Sequence, residues 1–438
     1  MYNILDFGAV ADGKTLATAA IQAAVDACNQ SGGGRVCIPA GTFLTGSLLL
    51  KDNVELHLET GATLKASTDL ADYNADDAYE QNYGVPSEEW LGKHLIMAIE
   101  CTNVALTGLG VIDASGEFFF EEPKFYPYHQ WMSGYGWRNG ISYAKNKELL
   151  RPGQVICFIE SKNITVRDVT VQNSPCWSLF LHGCENVTVC GLKVFNPSTF
   201  GNTDGIDIDC CRYVNVSNCI INTGDDAIAI RCAAQRLKKP QACEYVTITN
   251  CTLSAYASGI RIGVGTGDIR HVRISCLTVE HAGTAINYIT SYAKKGCAMI
   301  EDVNFSDISI YDVGFPIQIN GDVGSVKHVS LENIRAYTMS GIKLIATDDC
   351  EISDIRLRDV DLHLIPEELE LDERRLKIRG DTLLFLRGIK NAHLDGVRVY
   401  ASNELLTTWK HAITADKCEN LITDRCILPQ NFNDPEED

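Results

Sequence analysis

One pattern constrains the fold more than any other: a polar or acidic turn, a short alternating strand, a break of one or two residues, and a second short strand. It appears as NVELHLETGATLKA from Asn53 and NVALTGLGVID from Asn103. It returns as NITVRDVTV from Asn163, NVTVCGLKV from Asn186, YVNVSNCII from Tyr213 and YVTITNCTL from Tyr245. HVRISCLTV from His271, DVNFSDISI from Asp302, HVSLENIRA from His328, EISDIRLRDV from Glu351, AHLDGVRV from Ala392 and NLITDRCIL from Asn420 continue it. From residue 163 to 334 the spacing is mostly 23–32 residues. A repeat of that length means stacked coils, and short strands without helices mean a β-helix. Elongated β folds of this kind run to several hundred residues as one unit, so residues 1–438 are expected to form a single domain.

A further strand precedes several repeats: SLFLHG, GIDID, AIAIR, GIRIG, AINYI, PIQIN and GIKLI. Aligned on their alternation, these predict one sheet running along the solenoid. Period-two alternation turns Ile206/Ile208, Ile228/Ile230, Ile260/Ile262 and Ile317/Ile319 inward and Asp207, Arg261, Asn287, Gln318 and Lys343 outward. Asp204 directly precedes Gly205–Asp209, and Asp226 directly precedes Ala227–Arg231. Stacked as neighbours, these two acids sit roughly 5 Å apart, with Asp225 beside them. Like charges that close do not ionise independently, so at least one pKa is expected to move. Such a carboxylate cluster suits acid/base hydrolysis of a glycosidic bond. The competing structural role is capping of turns through side-chain hydrogen bonds.

Residues 14–30 space Ile21, Val25 and Cys28 at helical intervals, predicting an amphipathic helix within an N-terminal cap of about residues 1–35. The formal charge of 38 − 57 = −19 argues against nucleic acid as a partner. No apolar run of about 18 residues is present, so no membrane partner is expected. MYNILDFGAVADGK lacks the pattern of a signal peptide, and a cytoplasmic location is the expectation. The eighteen cysteines include no CxxC pair. They are expected to be reduced core residues, with Cys157, Cys190, Cys219, Cys251 and Cys276 in strand-like positions. The sequons at Asn163 and Asn250 fit turn chemistry better than glycosylation. Insertions interrupt the repeat at about 67–97, 113–152 and 361–380. In the second, Trp131, Tyr135 and Trp137 either wall a sugar cleft or cover the side of the solenoid.

Several segments resemble the polygalacturonase-like glycoside hydrolases of family 28. They are FGAVADGKT with GGGRVCIPAGTFLTGSLLLKDNVELHLETGATL, then RPGQVICFIESKNITVRDVTVQNSPCWSLFLHGCENVTV, and NTDGIDID followed by GDDAIAIR. NTDG with GDD about one coil later is the most specific of these, and the resemblance spans roughly residues 2–345. It implies a pectin-lyase-like, right-handed parallel β-helix that hydrolyses pectic polysaccharides with inversion. It implies Asp225 as general acid, with Asp204 and Asp226 holding and deprotonating the attacking water. An inverting pair is expected to stand about 6.5–9.5 Å apart.

The chain departs from the family pattern in two places. Ser258 stands where the family usually has histidine, and Asn287 and Ile289 stand where it usually has an Arg-x-Lys pair for a substrate carboxylate. Arg261 is a candidate displaced cation; its alternative role is a salt bridge to Asp207 or Asp209. Asn202, Arg231, His182 and Gln318 complete the candidate substrate-binding residues, and His281 is a weaker one. No cofactor is expected. The acid cluster would suit Ca²⁺ in a lyase, but the NTDG/GDD arrangement fits hydrolysis without metal. The expected activity is exo-acting, inverting hydrolysis of pectin-derived oligosaccharides. The alternatives are a non-catalytic carbohydrate-binding β-helix, a lyase, or a glycosidase acting on a neutral sugar such as rhamnose.

Overall fold

A computed structural model describes residues 1–75, 92–123, 151–291, 296–366 and 379–430. Trp131, Tyr135, Trp137 and most of the three insertions lie outside the described residues. The chain winds as a right-handed parallel β-helix. Its front sheet has twelve parallel strands, from Leu48–Leu49 at one end to His411–Asp416 at the other. Each strand pairs with those one coil before and after. Thus Ile206–Asp209 lies between Leu179–His182 and Ile228–Cys232, and Ser258–Gly265 follows. The register runs Phe180, Asp207, Ala229, Arg261, Asn287, Gln318, Lys343, which is the outward column expected from alternation. The isoleucines between them point inward and are fully buried.

The remaining strands form two further columns that close each coil. Glu185–Cys190 pairs with Lys162–Arg167 and Arg212–Ser217, and Lys193–Phe195 pairs with Thr170–Gln172 and Ile220–Thr223. From Asp268–Glu280 onward the two columns fuse into long strands, Met299–Val313, Gly324–Thr338 and Cys350–Leu364. The break between the two halves survives as one left-handed residue per coil: Cys276, Asp307, Asn333 and Asp359 (φ 50–59°). Cys276 is therefore an exposed bend residue, not the core residue expected, and Cys190 is only half-buried. Cys157, Cys219 and Cys251 are buried, and none of the eighteen cysteines forms a disulfide.

The turn asparagines behave as their chemistry predicts. Asn53, Asn103, Asn163 and Asn186 all have φ near +60°. Their side chains hydrogen-bond from coil to coil at 2.7–3.1 Å. The cap helix spans Thr18–Gln30 and buries Ile21, Ala24, Val25 and Cys28 against the first coils. It starts four residues later than the periodicity suggests, because Asp12–Leu16 is a strand paired with Gly41–Thr45. No helix among the described residues is long and apolar enough to cross a membrane.

Candidate active site

The three acids of the NTDG and GDD motifs meet at one edge of the front sheet. Parallel pairing of Ile206 with Ile228 places Asp204 and Asp226 at equivalent points of successive coils. Side-chain oxygens of Asp204, Asp225 and Asp226 lie within 4.8 Å of one another. By nearest oxygens this is tighter than the spacing of about 6.5–9.5 Å expected for an inverting pair.

Local hydrogen bonds fix both turns. Thr203 Oγ1 donates to the Phe200 carbonyl and accepts from the Gly224 N–H at 3.1 Å. Gly224 presses against that same carbonyl so closely that no β-carbon would fit, which is why glycine precedes the two aspartates. Thr223 Oγ1 donates to the Asp225 carbonyl at 3.0 Å. Asn196 latches the Asp204 turn to the preceding coil: it accepts from Ser174 N–H and donates to Ser178 Oγ and the Thr203 carbonyl. The Asn202 N–H donates to Asp225 Oδ2 at 3.1 Å. Arg151 in turn donates to Asn202 Oδ1 at 2.6 Å and to the Pro175 carbonyl. Arg151 opens the RPGQV segment that carries the resemblance, yet the sequence reading gives it no role in the site; the folded chain brings it to a residue 51 positions away.

Electrostatics divide the acids. Asp204 and Asp226 are buried, while Asp225 is half-buried and is the accessible member. Burial, followed by the Asp226 charge, raises Asp225 to about 7, although Arg261 and the Asn202 N–H pull the other way. Asp204 is held well above the usual carboxylate range by burial and then by Asp207, Asp225 and Asp226. Asp226 accepts a short hydrogen bond from Arg261 Nε.

The candidate binding residues divide sharply. Arg261, expected to face a substrate carboxylate, is buried and engaged with Asp226, with Asp207 at 4.0 Å. Its salt bridge thus goes chiefly to a proposed catalytic acid, not to Asp207 or Asp209 alone. Arg231 is outward but dry: it contacts Asp209 at 3.3 Å and Asp207 at 3.8 Å and lies 4.8 Å over the Trp177 ring. His182 is fully buried, stacked on Phe180 and 3.5 Å from Asp209. Burial alone would raise Asp209, but His182, Arg231 and the Ala233 N–H hold it below the ordinary range. Ser258 and Asn287 are nearly buried and pair with each other at 3.1 Å, leaving Asn287 Oδ1 without a donor among the described residues. Gln318 is half-buried two coils beyond Arg261 and accepts from Thr284 at 3.2 Å. His281 lies on another face, paired with Asp312 at 2.8 Å.

Among the described residues, two groups have the donors for a metal ion: the three acids, and His182 with Asp209 and Cys210. Each already holds a guanidinium, Arg261 in the first and Arg231 in the second, so a cation is built into both. On the other side of the acids, the outward face is apolar. Met97, Cys157, Ile159, Cys176, Trp177 and Phe180 pack into a small buried cluster there.

Comparison with known proteins gives a consistent picture. The profile of Glycosyl hydrolases family 28 matches residues 28–372. A probable polygalacturonase of Vitis vinifera is 28% identical over 347 residues, covering 78% of this chain and 61% of that protein. An endo-polygalacturonase of Pectobacterium parmentieri is 27% identical over 315 residues, covering 71% of this chain and 73% of that protein. This chain therefore spans about two thirds of the length of these relatives. Among solved structures, the family 28 exopolygalacturonase of Yersinia enterocolitica superposes with a TM-score of 0.71 at 20% identity, over 96% of this chain and 78% of that one.

Proposed function

The chain belongs to glycosyl hydrolases family 28, and on that premise we propose that it hydrolyses O-glycosidic bonds of pectin-derived oligosaccharides at the Asp204–Asp225–Asp226 cluster. One observation carries this reading: three carboxyl groups converge, yet their surroundings differ, Asp225 being half-buried and Asp226 held by Arg261. Asp225, accessible and raised to about 7, is suited to give a proton to the leaving oxygen. Asp226 is held in place by the Arg261 guanidinium, and its role in the proposal is to take a proton from water. Asp204 lies within reach of both and would orient that water.

Exo action is part of the proposal. The buried apolar cluster around Trp177 and Phe180 occupies the outward face on one side of the acids. Exposure along the outward column returns on the other side, at Gln318 and Lys343. A chain held from that side would present its end to the acids. Inversion also belongs to the proposal, and the close packing of the acids makes it worth measuring directly.

A panel of pectic oligosaccharides and aryl glycosides, read by product identity and by the anomer first formed, tests the whole reading. Release of end units with inverted configuration is the expected result. Products absorbing in the ultraviolet would reveal a lyase, and binding without new reducing ends would reveal a carbohydrate-binding β-helix.

A further inference from the structure

Beneath the carboxylate cluster lies a second layer of charge. Asp207 and Arg261 occupy the same outward column, two coils apart, with Ala229 between them. Two inter-strand steps span roughly 9.5 Å, a gap that an arginine and an aspartate side chain reaching toward each other can largely close. Because the residue between is only alanine, the Arg261 side chain can lie back over it toward the acids. Its NH2 stands 4.0 Å from Asp207 Oδ1, and its Nε hydrogen-bonds Asp226 Oδ2. Arg231 approaches the same Asp207 oxygen from the neighbouring column at 3.8 Å. Neither Asp207 oxygen accepts a hydrogen bond among the described residues. All these residues are at most 5% exposed.

We propose that Arg261 is a positioning residue of the active site: it fixes the Asp226 carboxylate by direct hydrogen bonding, its guanidinium lying back over Ala229 toward Asp207. Asp207, fully buried behind the two guanidinium groups, is not an acid of the reaction. The arrangement treats the adjacent pair differently: the Arg261 hydrogen bond goes to Asp226, while Asp225 accepts from the Asn202 N–H. It also commits to internal use the cation nearest the acids in the outward column. The inference rests on the hydrolase reading above, and its test is separable from it.

The groups facing Asp225 are Asp204, Asp226, Arg261 and the Asn202 N–H, and Asp207 lies behind Arg261. Of these, Arg261 is the charge that holds Asp225 down. Its removal therefore moves the alkaline limb of the kcat–pH profile upward. The experiment compares wild type, Arg261→Gln and Arg261→Lys by kcat, KM, pH profile and melting temperature. For Gln, kcat should fall by roughly 10- to 100-fold with KM little changed. The alkaline limb should shift to higher pH, and Lys should restore part of both. An unmoved limb, or a raised KM at unchanged kcat, overturns the proposal; the second result would make Arg261 a substrate contact. If wild type cleaves nothing on the panel, the hydrolase reading fails. Carboxyl ¹³C NMR titration of the aspartates in wild type and Arg261→Gln then decides the inference alone, with unchanged titrations overturning it. If the Gln variant does not fold, the Lys variant carries the same comparison.

Discussion

On the strands Ile206–Asp209 and Ile228–Cys232, the side facing the solenoid interior and the side facing out are almost equally dry. Ile206, Ile208, Ile228 and Ile230 are fully buried inside, while Asp207, Asp209 and Arg231 are no more than 5% exposed outside. The chemistry is opposite. Inside, the contacts are non-directional, and each isoleucine contributes by area and close packing. Outside, every charge depends on a particular partner at a particular distance, because an unpaired buried charge costs far more than a missing methyl group. The inner face can vary in detail and keep the fold. The outer face is specified residue by residue, as a site has to be.

The largest effect should separate the two faces completely. Asp225→Asn keeps shape and burial but cannot give a proton, so turnover on the accepted oligosaccharide should fall by about 10²–10⁴. The melting transition should stay in place. Full turnover by this variant would take Asp225 out of the acid role. The reciprocal change is Ile208→Ala on the inner face. It should cost about 2–5 kcal/mol of stability in denaturant unfolding, while the folded fraction retains its activity. If Ile208→Ala abolished turnover in protein that was still folded, the two faces would be coupled more tightly than their packing indicates.

A smaller effect comes from pH, and only the outer face supplies it. Asp225 must be protonated to act, and its pKa is raised to about 7, so kcat should decline as pH rises through that value. The same sign applies to stability. Asp204, Asp207 and Asp225 are all raised in the folded state, Asp207 to about 8 through burial. Unfolding releases them to ionise near pH ~4. Their contribution is therefore fully present below that range and is lost as pH rises toward about 8. The melting temperature should be higher at pH 5 than at pH 8, and a flat profile would mean these acids are better solvated than their burial indicates.

The two faces also differ in how far they could be read from the sequence. Alternation fixes which side of a strand a residue takes, and the repeat fixes which coil it belongs to. Together they were enough for the isoleucine ladder, for the outward column from Asp207 to Lys343, and for the meeting of Asp204 with Asp226. What each outward side chain touches depends on length and on its neighbours. Arg261 reaches back to Asp226 because Ala229 leaves room, and alternation carries no information about that. Arg151 reaches Asn202 through a fold contact that no local pattern encodes. The left-handed bend at Cys276 is a third case: the repeat marks a break there, but a cysteine gives no turn signal.

The smallest effect belongs to a third surface, the ladder of turns, which is exposed and tests whether side-chain stacking matters without burial. Tyr213, Tyr245 and His271 stack face to face at centroid distances of 5.1 and 5.0 Å. Tyr245 is 45% exposed and holds φ at +58°. Two things are therefore at stake at that position: the ring contacts on either side, and a backbone conformation that costs least for glycine and asparagine. Tyr245→Ala removes the rings and keeps the unfavourable backbone, so it should lose about 0.5–1.5 kcal/mol for a stacked pair. Tyr245→Asn removes the same rings but suits the left-handed turn, as Asn186 does at the equivalent turn two coils earlier. It should destabilise less than alanine, and neither variant should change turnover. Equal losses for the two would assign the whole effect to stacking. An asparagine variant more stable than wild type would show that the turn, not the ring ladder, governs this edge of the solenoid.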